Sequence, residues 1–279
     1  MSVGINLETL KVHQEGAVLF ATLDAPPMNL MGPELVRDLV SLIQQSEGDN
    51  SIQVIVFKSA NPHYFISHVN VKQVKEYRKE VVKLTGEPSL ALLFRHLSAS
   101  RIVTIAQIEG RVRAAGSEFV LACDMRFAAK ESAVFSQLEP ALGVLPGGGA
   151  TQYLTRLMGR ARALEVMLSA EDYDADLAER YGWINRALPA KQLDEFVKSL
   201  AHRIATFPAK GRSVVKERVN SITLADVDEF RLDSDLFAEG LGDPEVQSRI
   251  QAVLEAGFQT PEAELQLARL LGNLGKAGS

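Results

Sequence analysis

Short apolar runs that end in turn residues alternate with segments of helical spacing over the first two thirds of the chain. Three runs have the length and β-branched content of buried strands: AVLFATL, which precedes Pro26 and Pro27, SIQVIVFKSA and IVTIAQIEG. Between the first two, apolar residues recur at Leu35, Leu39 and Leu42, which is the spacing of one helix face. The alternation predicts an α/β fold.

The middle of the chain continues this alternation. The segment SEFVLACDMRFAA predicts a short helix and then a strand around Met125–Ala129. Glu139 precedes a proline and is expected in a loop, which runs into the glycine-rich segment Pro146–Gln152 and a helix from about Gly149. A later helix is expected to stop at Gly182 and to be followed by a strand.

The pattern changes after Pro189, where almost everything to residue 275 has helical spacing. Breaks are expected near Pro208, at 240–244 and near Pro261. We therefore predict two parts: an α/β core over 1–200 and a C-terminal helical region over 201–279.

Composition narrows the class of protein. The chain has 279 residues, 46% of them hydrophobic and 23% charged, which is typical of a globular protein with a large core. The net charge of −5 argues against nucleic-acid binding, which needs a basic surface. The single cysteine, Cys123, fits a reducing compartment. No apolar run approaches a membrane span and the first residues lack a signal-peptide pattern, so we expect a cytoplasmic protein without a membrane partner.

Glu118 is the first candidate for chemistry, because it lies where the small residues Ala-Ala-Gly-Ser give way to an apolar run in GRVRAAGSEFVLACD. Its position fits a carboxylate that complements the dipole of its own helix. It equally fits a proton-transfer group beside open backbone N–H groups that hold negative charge on a carbonyl oxygen. Glu139 likewise reads either as a surface carboxylate or as a functional one.

Other site classes find little support. The five histidines are scattered and there is one cysteine, so no zinc pattern is present and we expect no metal. The glycine run is neither a dinucleotide fingerprint nor a phosphate-binding P-loop, and no G-x-S-x-G elbow occurs. His68 is either a surface residue or a proton-transfer group.

Four ordered blocks resemble the crotonase, or enoyl-CoA hydratase/isomerase, superfamily over about residues 15–220. They are LDAPPMNLMGPELVRDL, VIVFKSANPHYFISHVNV, the long stretch from IAQIEGRVRAAGSEFVLACD through SQLEPALGVLPGGGATQYL to ARALEVML, and DLAERYGWINRALP. The resemblance implies a spiral of repeated β-β-α units with a C-terminal helical trimerisation region. It also implies an acyl-CoA substrate, a homotrimer or hexamer, and no cofactor besides the CoA of the substrate.

The resemblance also assigns site residues. Two backbone N–H groups, of Val69 and Ala115, would hold the thioester oxygen and stabilise an enolate-like intermediate; removing one such donor typically costs about 3–4 kcal/mol. Glu118 and Glu139 match the two glutamates that hold a water in hydratases. Their joint presence favours hydration of an enoyl-CoA, or the reverse dehydration.

The oxyanion loops depart from the common pattern. His68 and Asn70 replace a small residue and an aspartate around the first donor, and we place both, with Gly116 and Gly147, at the substrate-binding surface. Ala114 and Ala115 replace glycines, and we expect an alanine at these positions to require a negative φ. Arg113 either meets an anionic group or points to solvent.

Two alternatives stay open at this stage. The first is an enoyl-CoA isomerase, or a C–C or thioester hydrolase of the same superfamily, in which His68 takes part in proton transfer. The second belongs to another class: a CoA-ester-binding or assembly paralogue with little activity, which the altered donor loops would explain.

Overall fold

A computed structural model describes residues 7–274. The ten strands within this range are β1 Leu10–Glu15, β2 Val18–Leu23, β3 Val54–Ser59, β4 Tyr64–Ile66, β5 Val103–Ile108, β6 Arg111–Arg113, β7 Met125–Ala129, β8 Val134–Ser136, β9 Tyr173–Asp174 and β10 Arg186–Leu188. The helices of the first half are α1 Pro33–Gly48, α2 Val74–Thr85, α3 Leu90–Ala99, α4 Ala115–Ala122 and α5 Glu139–Leu142, with a 3₁₀ turn at Val71–Gln73. Those of the second half are α6 Ala150–Ser169, α7 Ala175–Tyr181, α8 Ala190–Ala205, α9 Ala209–Thr223, α10 Val227–Gly240, α11 Pro244–Glu255, α12 Pro261–Glu264 and α13 Leu267–Asn273.

From β3 to β8, successive strands belong alternately to two sheets. The larger sheet has the order β1-β2-β3-β5-β7-β10, parallel from β2 onward, and the smaller has the order β4-β6-β8-β9. Each turn of the chain therefore adds one strand to each sheet and then a helix, as in β3-β4-α2, β5-β6-α4 and β7-β8-α5. This is the predicted spiral of β-β-α units.

The period-two alternation of the central strands separates two layers of core. Val18 and Phe20 of β2, with Val54 and Val56 of β3, face one side of the sheet, where α8 covers them with an apolar stripe that includes Leu193. The intervening residues of the same strands face the main core, which α1, α3, α4 and α6 cover. The site described below lies at the edge of this main core.

Several local predictions change. The predicted boundary between the two parts, between residues 200 and 201, lies inside α8. The division into two domains itself stays a prediction. Strands β1 and β6 were not expected from the pattern. Glu139 was expected in a loop but is the first residue of α5, because Pro140 is well suited to the first turn of a helix.

The helical C-terminal half follows the predicted breaks. Helices α9, α11 and α12 begin directly after, or at, Pro208, Pro244 and Pro261, where proline fits the start of a helix. Within the described residues, no helix is long and apolar enough to cross a membrane.

Candidate active site

A cavity of about 630 Å³ gathers most of the residues that the sequence singled out. His68, Val69, Ala115, Glu118 and Glu139 all line it, together with Gly147 and Gly148 from the loop before α6. Much of the remaining wall is apolar and comes from α10, α11 and the turn after α11. The spiral core and the C-terminal helices therefore enclose one site between them.

Glu118 lies in the first turn of α4, yet its carboxylate does not cap that helix. Its Oε1 accepts hydrogen bonds from the N–H groups of Gly148, at 2.7 Å, and Ala150, at 3.1 Å, at the start of α6. The side chain is buried, and burial followed by the nearby charge of Glu139 raises the pKa of Glu118 well above its ordinary value. The two hydrogen bonds thus fix the position of the Glu118 carboxyl group, and its raised pKa favours the protonated form.

Gly148 is the residue that makes room for Glu118. A Cβ atom built on Gly148 would lie 2.4 Å from Oε2 of Glu118 and 3.0 Å from Cε2 of Phe94. Such distances are far shorter than a van der Waals contact, so glycine is required here for close approach rather than for an unusual φ.

Glu139 reaches the cavity from the start of α5. The side-chain amide of Gln137 donates to both carboxylate oxygens, at 3.0 Å each. Burial raises the pKa of Glu139 to about 7, against the opposing effects of hydrogen bonds from its own backbone N–H and from Gln137 and of the charge of His68. Two coupled carboxyl groups with raised pKa values therefore share one cavity.

The N–H group of Val69 points away from the hydrogen bond that its own peptide makes with Met31. The carbonyl oxygen of the same peptide, on His68, accepts a 2.9 Å hydrogen bond from the N–H of Met31. Because the C=O and N–H of a trans peptide point in opposite directions, the Val69 N–H points away from Met31. Within residues 7–274 this N–H has no acceptor, and Val69 lines the cavity.

Ala115 supplies a similar donor as the first residue of α4. The carbonyl of Ala114 accepts from Glu118 N at 2.9 Å, so the Ala115 N–H points out of the helix N-terminus. In the described part of the chain it too has no acceptor. Ala114 itself has φ 47° and ψ −124°, which contradicts the expectation of a negative φ. A non-glycine residue in this region carries strain of about 1–3 kcal/mol, and such strain persists where the surroundings fix the backbone.

Arg113 does not point to solvent but meets two anionic groups, and both are carboxylates of the protein itself. Its guanidinium is buried and donates to both carboxylate oxygens of Asp172, at 2.9 and 2.7 Å. It also donates to the carboxylate and the carbonyl oxygen of Glu264, at 3.1 and 2.8 Å. Burial acts to raise the pKa of Glu264, but the charges of His68 and Arg113 outweigh it and lower the pKa.

His68 is buried rather than a surface residue, and both of its ring nitrogens are engaged. Nε2 lies 2.7 Å from Oε1 of Glu264 and Nδ1 lies 3.0 Å from the carbonyl oxygen of Val69. The carboxylate and the carbonyl are both hydrogen-bond acceptors, and the side-chain amide nitrogen of Gln259 lies 3.5 Å from Nδ1 as well. The ring also stacks on Phe258, with centroids 4.4 Å apart.

The remaining predicted substrate-binding residues differ in placement. Gly147 lines the cavity and packs so closely on Phe237 that an added Cβ would lie 2.5 Å from its ring. Gly116 instead packs on the backbone of Ile66, where a Cβ would meet the carbonyl oxygen at 2.1 Å. Asn70 caps the 3₁₀ turn by accepting from the Lys72 N–H at 3.1 Å. The contacts of Gly116 and Asn70 are thus structural.

The sequence reading missed several residues of the site. Gln137 and Gly148 lie within the segments quoted above, and their closeness to Glu139 and to the glycine run was the available signal. Glu264 gave no signal, because it lies in the less specific helical region and meets His68 196 residues away. Among the side chains of residues 7–274, no group of three or more His, Cys, Asp or Glu is placed to hold a metal ion.

Comparison with known proteins shows relatives along most of the chain. The sequence pattern of the enoyl-CoA hydratase/isomerase family matches residues 13–259. A short-chain-enoyl-CoA hydratase of Clostridium acetobutylicum is 25% identical over 253 residues, which are 90% of this chain and 96% of that protein. A Rhizobium meliloti protein provisionally named an enoyl-CoA hydratase is 31% identical over 246 residues, covering 84% and 91% of the two chains.

A solved structure extends the likeness to three dimensions. The protein, from Streptomyces avermitilis and provisionally named an enoyl-CoA hydratase, is 47% identical and superposes with a TM-score of 0.95 over 98% of this chain and 99% of that chain. The fold, the family pattern and the relatives support an enzyme of hydratase type that acts on an acyl-CoA. The chain therefore belongs to the enoyl-CoA hydratase/isomerase family, with the crotonase fold.

Proposed function

We propose that this enzyme adds water across the double bond of a 2-enoyl-CoA, or removes it in reverse, using Glu118 and Glu139. The observation that carries the proposal is the shared cavity: two buried carboxyl groups with raised pKa values and two backbone N–H groups without an acceptor among residues 7–274. This combination suits a reaction that moves protons at carbon while a carbonyl oxygen gains negative charge.

The thioester oxygen would lie between the N–H groups of Val69 and Ala115. When the water oxygen bonds to the β-carbon, the electron pair of the C=C bond forms a double bond between the α-carbon and the thioester carbon. The electron pair of the C=O bond then moves onto the thioester oxygen, and the two N–H groups stabilise the resulting enolate. The raised pKa values favour one proton shared by the glutamate pair near neutral pH. The ionised carboxylate takes a proton from the water, and the carboxyl group that already carries the pair's proton gives it to the α-carbon, which completes the addition.

The CoA portion of the substrate has a suitable entrance. Lys72, Lys75 and Arg78 line the cavity from the 3₁₀ turn and α2, and the two lysines are exposed at its opening. Their charges would attract the phosphates of CoA. We propose that no cofactor takes part beyond the CoA of the substrate, since the chemistry needs only backbone dipoles and carboxyl groups.

The contacts of His68 weigh against the first alternative. An isomerase or hydrolase that uses His68 for proton transfer needs a ring nitrogen facing the substrate, whereas both nitrogens are engaged with Glu264 and Val69. The second alternative, a CoA-ester-binding or assembly paralogue, predicts tight binding without turnover. Isothermal titration with acyl-CoA, run beside the activity assay, distinguishes it.

The test is hydration of a series of 2-enoyl-CoA esters, followed by loss of ultraviolet absorbance of the conjugated double bond. Glu118→Gln and Glu139→Gln are each expected to lower kcat by at least about 100-fold, because each removes a proton-transfer group. Glu195→Gln, on the exposed side of α8, is the matched control and should keep the wild-type kcat. Wild-type protein that hydrates no ester of any chain length would contradict the proposal.

We also propose that the enzyme assembles as a homotrimer or a dimer of trimers. Helix α9 has no buried residue, and Val215, Val219 and Ile222 form an apolar stripe that is 65%, 53% and 75% exposed. Val219→Asp is expected to yield smaller particles in light scattering, and an unchanged mass would contradict the role of this stripe. A cytoplasmic location remains our prediction, supported by the single buried cysteine Cys123 and testable by cell fractionation.

A further inference from the structure

Glu264 is a buried carboxylate that the hydration chemistry does not use. It lies at the end of the short helix α12, is 0% exposed, and divides its two oxygens between two side chains. Oε1 meets the ring of His68 at 2.7 Å and Oε2 meets the guanidinium of Arg113 at 3.1 Å. A buried ionised carboxylate is costly unless it is paired in this way, so the three side chains form one interdependent unit.

The two partners of Glu264 lie just before the two proposed oxyanion donors in the sequence. His68 is the residue before Val69, and Arg113 is two residues before Ala115. These donors belong to loops from different turns of the spiral, after β4 and after β6. Glu264 is therefore a single group that contacts both oxyanion loops and ties them to the C-terminal helical region.

The surrounding contacts fix the donors more firmly. The carbonyl of Val69 accepts from the amide of Gln259 at 3.0 Å as well as from His68, and Phe258 stacks on the His68 ring. The Glu264 carbonyl gives Arg113 a second anchor at 2.8 Å. The segment 258–264 thus contacts both loops: Phe258 and Gln259 contact His68 and Val69 of the first loop, and Glu264 binds Arg113 before the second donor.

Ala114 explains why the second loop needs an anchor. Its backbone, at φ 47° and ψ −124°, is unfavourable for a side chain, and relaxation would rotate the peptide that carries the Ala115 N–H. Arg113, held by four hydrogen bonds to Asp172 and Glu264, prevents that rotation from one side, while α4 holds the other.

We infer that Glu264 is a positioning residue that sets the separation and direction of the Val69 and Ala115 N–H groups, acting through His68 and Arg113. This inference rests on the proposed function of those N–H groups. Displacing a reacting group by about 1 Å typically costs about 100-fold in rate. Since oxyanion contacts strengthen in the transition state, the loss falls on kcat rather than on KM.

The test replaces the carboxylate while keeping its shape. Glu264→Gln is expected to lower kcat about 100-fold with KM near the wild-type value. Glu264→Asp has a side chain too short to reach both His68 and Arg113, but it keeps the negative charge and should therefore lose less than Glu264→Gln. Glu262→Gln, an exposed glutamate of the same helix, is the matched control and should behave as wild type.

A spectroscopic signal separates positioning from a purely structural role. Bound cinnamoyl-CoA absorbs at longer wavelength when its thioester carbonyl is hydrogen-bonded, because its conjugated system is polarised. Glu264→Gln should bind this probe with a smaller shift than wild type at a temperature where both are folded. A folded Glu264→Gln with wild-type kcat and the full shift would overturn the inference, whatever its melting temperature. If neither Glu264 variant folds, His68→Gln removes the partner of Oε1 instead, and a wild-type kcat there overturns it equally.

Failure of the proposed function gives a different result. Wild-type enzyme would then hydrate no enoyl-CoA and bind the probe without a shift. The positioning role is in that case decided by crystal structures of wild type and Glu264→Gln. Displaced Val69 and Ala115 nitrogen atoms support it, and coincident ones overturn it.

Discussion

Replacing Gly148 by alanine tests whether the position of the Glu118 carboxylate governs the reaction. The new methyl group would lie 2.4 Å from Oε2 of Glu118, whereas ordinary contacts begin at 3.4 Å, so the oxygen has to retreat by about 1 Å. Phe94, at 3.0 Å on the other side, leaves the methyl group little room to move away. The hydrogen bonds from Gly148 and Ala150 to Oε1 would also be distorted.

The expected loss follows from these distances. A displacement of about 1 Å in a reacting group corresponds to about 100-fold in kcat. Overpacking should in addition lower the free energy of unfolding by about 1–3 kcal/mol. Activity is measured as hydration of the best 2-enoyl-CoA, at a temperature where circular dichroism shows the variant folded.

Gly272→Ala is the matched control, because a Cβ at this exposed position of α13 meets nothing within 4 Å. It should keep the wild-type kcat and gain about 0.5–1 kcal/mol of stability from the better helix former. Folded Gly148→Ala with wild-type kcat would refute the reasoning that ties activity to the place of the Glu118 carboxylate.

Two further predictions concern stability. Because burial raises the pKa of Glu139 to about 7 in the folded state from 4.5, its contribution to stability is fully present below pH 4.5 and lost as pH rises through about 7. As pH rises from 5 to 8, Glu139→Gln should therefore gain stability relative to wild type, by up to about 3 kcal/mol. Urea unfolding of both proteins at pH 5 and pH 8 measures this. A difference in the free energy of unfolding that is the same at both pH values would contradict it. Ala114→Gly relieves about 1–3 kcal/mol of backbone strain and adds about 0.5–1 kcal/mol of glycine entropy, so unfolding should cost about 1 kcal/mol more; a less stable variant would show that Ala114 is unstrained.

The sequence predicted the parts of the site that local patterns encode. Strand and helix periods around Glu118 and Glu139, together with the resemblance of the blocks that contain them, led to the same cavity that the fold encloses. The helix breaks at Pro208 and Pro261 were predictable because proline acts on its own neighbours.

What the sequence could not give depends on contacts between distant segments. Nothing in the local sequence marks Arg113 as buried, and its burial makes sense only beside Asp172 and Glu264, which approach it through the fold. The positive φ of Ala114 was mispredicted for the same reason, since intrinsic preference forbids what the surrounding anchors impose. Gly116 was assigned to the substrate because its slot lies beside a donor, whereas its packing on Ile66 decides its identity.

The most direct test of the account is a crystal structure of the enzyme with an acyl-CoA bound. We predict the thioester oxygen within hydrogen-bonding distance of both the Val69 and Ala115 N–H groups, and a water held between the carboxyl groups of Glu118 and Glu139 next to the β-carbon. A thioester oxygen that contacts neither N–H group, or a β-carbon remote from both carboxyl groups, would contradict the account.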